Sequence, residues 1–185
     1  SCMEMFYSFW YTETIDLFKA DTSSVKNMWG MFKECRVLEN LDISGFDTSN
    51  VTDMHALFFN CKKLPTLDLK NFDTSNVKDM GGMFQYCNSL TELDLSGFDT
   101  SKVTDVSNMF RKCEELTSLD LSSFDTSNVT DMKDMFWGCK KLGSVDLSSF
   151  DTSKVTKMDY MFYDCPELTV LDLSSFDTSS VESCG

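Results

Sequence analysis

Apolar positions return along the chain at a step of 26 residues. Laying Phe124 to Ser149, FDTSNVTDMKDMFWGCKKLGSVDLSS, over the rest reproduces nearly every one of them. A fixed period of this length marks an array in which each unit is too small to bury its own apolar side and is covered by its neighbours. Full units run 20–45, 46–71, 72–97, 98–123, 124–149 and 150–175, with partial ones at 1–19 and 176–185. No proline-rich stretch or composition break divides them, so residues 1–185 are expected to form a single solenoid domain.

Within one unit the periodicity changes twice. In Leu90 to Leu95, Leu93 and Leu95 alternate with polar Asp94, the period of a strand with one face buried. Phe98-Asp99-Thr100-Ser101 then joins residues whose short oxygens bond nearby amides, and it reads as a corner. Val103, Val106, Met109, Phe110 and Cys113 follow a three-and-four spacing, which predicts a short strand through Val103 and a short helix from about Ser107. Stacking such units at roughly 4.8 Å per strand gives an α/β repeat solenoid, with one parallel β-sheet of one strand per repeat and short helices or turns on the other side.

The side chains arrange themselves in columns. Cys35, Cys61, Cys87, Cys113, Cys139 and Cys165 stand 26 apart with no C-x-x-C pair, so they read as small apolar thiols in the core rather than as a zinc or disulfide framework. All 12 methionines but Met3 fall in two columns, and thirteen of the 16 phenylalanines in two more; both are read as core. The one histidine, His55, lies between Met54 and Leu57 and is expected to be an exposed side chain without a catalytic partner. Cys2 and Cys184 share one phase of the repeat seven periods apart, or roughly 34 Å of stacked strands. They are too distant to pair within the chain, so head-to-tail self-association of the open ends, through these thiols, is an expectation.

Charge narrows the partners. Thirty acidic against 16 basic residues give −14, which argues against nucleic acid or an anionic membrane, since phosphates are repelled. A hydrophobic content of 42% is that of a folded chain. No run of 18 apolar residues suggests a membrane span, and no charged-then-apolar leader precedes Ser1. The chain starts partway through a repeat, as a piece of a longer array does, so caps, anchor and leader are expected outside it.

Two acidic columns recur without exception. One runs from Asp16 through Asp42, Asp68, Asp94, Asp120 and Asp146 to Asp172 on the strands, the other from Asp21 to Asp177 at the corners. Like charges at that spacing repel by about 1 kcal/mol per neighbouring pair even in water, so something must offset them. At the corner the expected answer is an Asx turn. On the strand the candidates are bonds from adjacent serine and threonine hydroxyls, raised pKa values, or calcium at Asp68, Asp94, Asp120 and Asp146, since oxygen ligands suit that ion. The Thr-Ser column from Thr48-Ser49 to Thr178-Ser179 also invites an ice-binding reading, against which stand the interleaved carboxylates.

Varied columns point to partners. The two positions after each Met-Phe pair or its equivalent read Tyr7-Ser8, Lys33-Glu34, Phe59-Asn60, Gln85-Tyr86, Arg111-Lys112, Trp137-Gly138 and Tyr163-Asp164. Exposed aromatics and arginine carry binding energy at interfaces, so Phe59, Tyr86, Arg111, Trp137 and Tyr163 are the candidate partner-binding residues. The alternative is a solvated face on which the repeats drifted. No nucleophile–base pair, glycine-rich phosphate loop or metal-ligand cluster stands out, so an enzyme reading has no residues to rest on.

The unit V-x-x-M-x-x-M-F-x-x-C-x-x-L-x-x-L-D-L-S-x-F-D-T-S, as in Val129 through Ser153, resembles the BspA-like leucine-rich repeats of bacterial surface proteins, including the branch found in mycoplasma lipoproteins. The resemblance covers essentially the whole chain. It implies a leucine-rich-repeat solenoid at the bacterial cell surface or outside the cell, and adhesion to a protein or glycan of a host or neighbouring cell. A structural spacer or coat without a specific ligand is the alternative. Two departures stand out: phenylalanines such as Phe46 and Phe72 lie near the place of the usual asparagine ladder, and Phe-Asp-Thr-Ser replaces a proline turn.

Overall fold

The computed structural model describes residues 1–183. Successive repeats lie on one another in the same direction. Strand β1 (Thr14–Asp16) pairs in parallel with β2 (Asn40–Asp42), Asp16 opposite Asp42, and β3 (Ser118–Leu119) pairs likewise with β4 (Ser144–Val145). Each partner stands one sequence period further on. A second line of contact, made of single-residue parallel bridges, climbs from Asn27 through Asp53, Asp79, Asp105, Asp131 and Lys157 to Ser183.

Among the described residues there is no helix. The segment expected to be helical from about Ser107 is a run of tight turns. The Met109 N–H bonds the Val106 carbonyl at 3.2 Å, Arg111 that of Asn108 at 3.1 Å, and Cys113 that of Phe110 at 3.0 Å. Each spans three residues where an α-helix spans four. Asn108 (φ +57°) and Lys112 (φ +62°) are left-handed, a conformation that no right-handed helix accepts. The same two positions are left-handed in the other repeats, as at Ala56 and Asn60 or Asp134 and Gly138.

The apolar spacing is obeyed all the same, since Val106, Met109, Phe110 and Cys113 are buried. Only the hydrogen bonds go elsewhere. The N–H groups of Val106, Asn108, Phe110 and Lys112 donate to the carbonyls of Asp131, Lys133, Met135 and Trp137 in the next repeat, at 2.7–3.1 Å. Equivalent residues repeat this fourfold link from Cys2 to Gly138, always from the earlier repeat to the later one. The extended piece expected through Val103 shrinks to the single bridging residue Asp105.

The strand face is less complete than one strand per repeat. The Leu-Asp-Leu segments at 67–69 and 93–95 form no strand. At this level Glu39 donates to Glu13 at 2.9 Å and Gly143 to Thr117 at 3.0 Å. Pro65 occupies the corresponding place and has no N–H to give.

Inside, the Met-Phe phenylalanines form one stack. Neighbouring rings from Phe6 to Phe162 lie 5.4–5.8 Å apart with their planes within 13° of parallel. Beside them each core thiol donates to the phenylalanine carbonyl of the preceding repeat, as Cys87 does to Phe58 and Cys113 to Phe84, both at 3.2 Å. Burial pushes the thiols up, Cys35 to about 11 and Cys87 to about 12, which makes them inert at neutral pH. The expected pairing of Cys2 with the Cys184 of another copy involves a residue outside those described.

At the corner, Asp47 accepts the N–H of Ser49 at 3.0 Å and its hydroxyl at 2.6 Å, the Asx turn the sequence predicts. The threonines staple neighbours: the Thr48 hydroxyl donates to the Asp73 carbonyl at 3.0 Å and accepts the Asp73 N–H at 2.8 Å. Thr48, Thr74, Thr100, Thr126 and Thr152 are buried, so these hydroxyls present no lattice to ice.

Lys112 distinguishes turns from helix. In a left-handed turn, Lys112→Gly raises stability by about 0.5–1 kcal/mol and Lys112→Val lowers it by about 1–2 kcal/mol. A helix ranks the two substitutions the other way, so denaturant unfolding of both variants decides the matter.

Candidate functional site

The five candidate side chains sit on the turn segments, where the cross-repeat ladder fixes their backbone. The carbonyls of Phe59, Arg111, Trp137 and Tyr163 accept N–H groups of the preceding repeat at 2.7–2.8 Å. Their columns come together as two clusters. In the first, Phe59 meets Tyr86 edge to face at 5.6 Å, and the Lys33 ammonium lies 4.7 Å from Trp29 and 5.7 Å from both Tyr7 and Phe59. In the second, the Arg111 guanidinium stacks 3.8 Å over Trp137, while Trp137, Tyr160 and Tyr163 touch one another at 5.2–5.9 Å. Gly81 and Gly82, which carry no side chain, belong to the repeat of Tyr86, next to that of Arg111.

Arg111 is less free than the sequence suggests. Its Nη1 donates to Asp134 Oδ2 at 2.7 Å and to Asn108 Oδ1 at 3.2 Å, and Asp134 is buried. Burial raises the Asp134 carboxyl, with the Arg111 charge pulling it back down. Arg111 Nε and Asp134 Oδ1 are buried and have no hydrogen-bond partner among the described residues. Tyr163, by contrast, is 57% exposed and stands at the edge of the cluster.

His55 is a correction. It is half-buried rather than exposed, stacks on Trp29 at 6.3 Å, and bonds Asp79 through Nδ1 at 3.0 Å. The hydrogen bond to Asp79 raises its pKa, burial opposing it. Asp79 belongs to a third acidic column, Asp53, Asp79, Asp105 and Asp131, which caps the N–H groups of His55, Gly81, Ser107 and Lys133 at 2.8–3.0 Å. Asn27 closes that row at one end and Lys157 at the other. Burial pushes Asp105 up. Trp29, Tyr160 and Asp134 also escaped the sequence reading, although positions 29–30, 55–56, 81–82, 107–108, 133–134 and 159–160 vary as freely as the columns it used.

The strand-face carboxylates are held by their own chain. Asp42 and Asp94 each accept the N–H and the hydroxyl of the serine two residues on, and those bonds keep both below the usual carboxylate range. Asp68 accepts the Lys70 N–H at 3.2 Å. Among the described residues no group of three acidic, histidine or cysteine side chains converges on a metal-sized space.

Residues 1–118 and 88–185 match the model of a family described as Mycoplasma protein of unknown function, DUF285. No curated protein matches the chain. Among solved structures, it resembles a leucine-rich repeat protein of T. pallidum, with a TM-score of 0.61 and 21% identity over 90% of this chain and 69% of that one. At that identity the likeness shows the fold, a leucine-rich-repeat solenoid.

Two measurements test the electrostatics. The raised His55 pKa means that its charged form stabilises the fold, fully below the ordinary value of 6.5 and not at all once pH has risen through the elevated one. His55→Gln therefore lowers the melting temperature at pH 5.5 and leaves it nearly unchanged at pH 9. The lowered aspartates act with the opposite sign: their contribution is present above 3.8 and fades as pH falls through their depressed values, so the native protein melts earlier in that acid range. Chelation tests calcium at Asp68, Asp94, Asp120 and Asp146: EDTA lowers the melting temperature markedly if the ions are bound, and an unchanged curve removes them.

Proposed function

Because the chain belongs to the DUF285 family of Mycoplasma proteins and carries the leucine-rich-repeat fold, we propose that it is a non-enzymatic binding module displayed outside the bacterial cell, adhering through its turn face to a protein of a host or neighbouring cell. The observation that carries this reading is the convergence of Arg111, Trp137, Tyr160 and Tyr163 into one partly exposed cluster. Tryptophan, tyrosine and arginine are the residues on which interface energy concentrates, and here each is held by the others before any partner arrives. A protein suits the cluster better than a glycan. A sugar ring stacks on an open aromatic face, and one face of Trp137 is already covered by Arg111. The other polar columns support a non-catalytic role, since their oxygens bond the protein's own main chain.

Arrays of host surface proteins and of glycans, probed with the native chain and with two variants, test the proposal. Tyr163→Ala weakens binding to the captured protein by about 2 kcal/mol and changes stability by less than about 0.5 kcal/mol. Trp137→Ala weakens it as much and also costs about 1 kcal/mol of stability, through the lost arginine contact. Capture by glycans alone overturns the choice of a protein partner. Affinity that neither variant alters moves binding off this face and favours a spacer or coat.

A further inference from the structure

Lys33 keeps its charge in an unusual place. Lys63, Lys102, Lys112, Lys141, Lys154 and Lys157 each bring the ammonium within 2.6–3.2 Å of a side-chain oxygen. The Lys33 ammonium makes no hydrogen bond among the described residues, and the Glu4 carboxylate stays 3.8 Å away. It lies instead among three rings, 4.7 Å from Trp29 and 5.7 Å from each of Tyr7 and Phe59. Tyr7 and Phe59 belong to the column of Lys33 itself, one repeat before it and one after, so they flank a slot of roughly 9.6 Å at the spacing of stacked strands. The box is built without the lysine. His55 stacks on Trp29 at 6.3 Å, and Tyr86 holds Phe59 edge to face at 5.6 Å. Gly30 keeps the place open, since a Cβ there would come within 3.3–3.5 Å of the Glu4 and Lys33 side chains.

An aromatic face attracts a cation but is no substitute for a hydrogen-bond acceptor. A primary ammonium is compact and strongly hydrated, so in this box, where the Lys33 side chain is 24% exposed, it gives up water without gaining acceptors. A quaternary ammonium has no N–H to leave unmet, and it spreads its charge over methyl groups that rings cover well. The box therefore suits a methylated cation better than the one it holds. We propose that Tyr7, Trp29 and Phe59 form a binding site for the trimethylammonium group of a small organic cation, and that Lys33 is a built-in competitor which the ligand displaces. Glu4 decides between sources of that group. A free cation such as choline gains from the carboxylate, whereas a phosphocholine headgroup brings a phosphate that Glu4 and a net charge of −14 repel. The site is separate from the Arg111–Trp137 cluster and does not rest on the proposed protein partner.

The indole N–H signals of the isotope-labelled chain, followed by NMR, report the site; that of Trp29 is the one lost in Trp29→Phe. The probes are ammonium, tetramethylammonium, choline and phosphocholine, titrated at constant ionic strength. On the native chain the proposal expects the Trp29 signal to shift and saturate, with tetramethylammonium and choline binding about tenfold or more tighter than ammonium. Choline binds about threefold or more tighter than phosphocholine. Lys33→Ala removes the tethered competitor and tightens tetramethylammonium binding by about tenfold or more, whereas Lys63→Ala, the same loss of charge outside the box, changes it by less than about twofold. A Trp29 signal that does not saturate with tetramethylammonium, ammonium bound as tightly as tetramethylammonium, or equal affinities in the two lysine variants overturns the site. Phosphocholine bound more tightly than choline overturns the free cation in favour of a lipid headgroup. The comparison of cations uses the native chain, so it decides the matter even if a variant folds poorly.

Discussion

The fold depends on a hydrogen-bond ladder that runs in one direction. At each junction four N–H groups of one repeat are given to four carbonyls of the next, so alternate peptide units of the turn segment point the same way along the solenoid. A parallel β ladder gives and receives in alternation. Here the giving is one-sided, and two left-handed residues per repeat make it so by rotating alternate peptides into line. Of the N–H groups beside the ladder, those of Met109, Arg111 and Cys113 are absorbed by turns within the repeat, that of Ser107 by the Asp105 carboxylate, and that of Thr104 is given back to Lys78 of the preceding repeat. This satisfies a buried main chain without helix or continuous strand, which is the condition every buried segment must meet. The cysteine column belongs to the same scheme. The Phe58 carbonyl accepts the Cys61 N–H of its own repeat at 3.1 Å and the Cys87 thiol of the next at 3.2 Å, so the second lone pair of each such oxygen is used as well.

Polar residues follow from the same economy. A solenoid of identical turns must place identical charges above one another, and rows of aspartate are costly unless each carboxylate gains more from its own surroundings than it loses to its neighbours. In all three rows the gain is local: an N–H two residues on, joined in many turns by a serine hydroxyl. The exposed rows need nothing more, since water screens their mutual repulsion. The half-buried row from Asp53 to Asp131 does, and there the sequence breaks the repeat, with Asn27 and Lys157 at its ends and His55 against Asp79.

The period, the core columns and the corner turns were legible in the sequence because each is a property of one repeat compared with the next. The helix was misread because three-and-four spacing is shared by helices and by successive tight turns, both of which bury every third or fourth side chain. The glycines at 30, 82 and 138, all left-handed, were the available clue. The strand gap was legible in principle at Pro65. The pairs that shape the candidate site were not. His55 meets Asp79 across 24 residues and Arg111 meets Asp134 across 23, both off the period. Comparing columns reveals what lies directly above, whereas these contacts run diagonally between columns.

Why variety collects on the turn face follows from the ladder as well. The ladder that recurs at every junction there is made by main chain, so what it requires of a residue is the right backbone conformation. That restricts the left-handed positions, several of which hold glycine or asparagine. The column of Lys33, Phe59, Gln85, Arg111, Trp137 and Tyr163 lies between two such positions, is not itself left-handed, and is only partly covered. No side chain there is needed to join one repeat to the next. The same constraint that makes the core monotonous therefore leaves one column free to differ at every step, and a rigid backbone carrying unconstrained side chains is what a recognition surface requires.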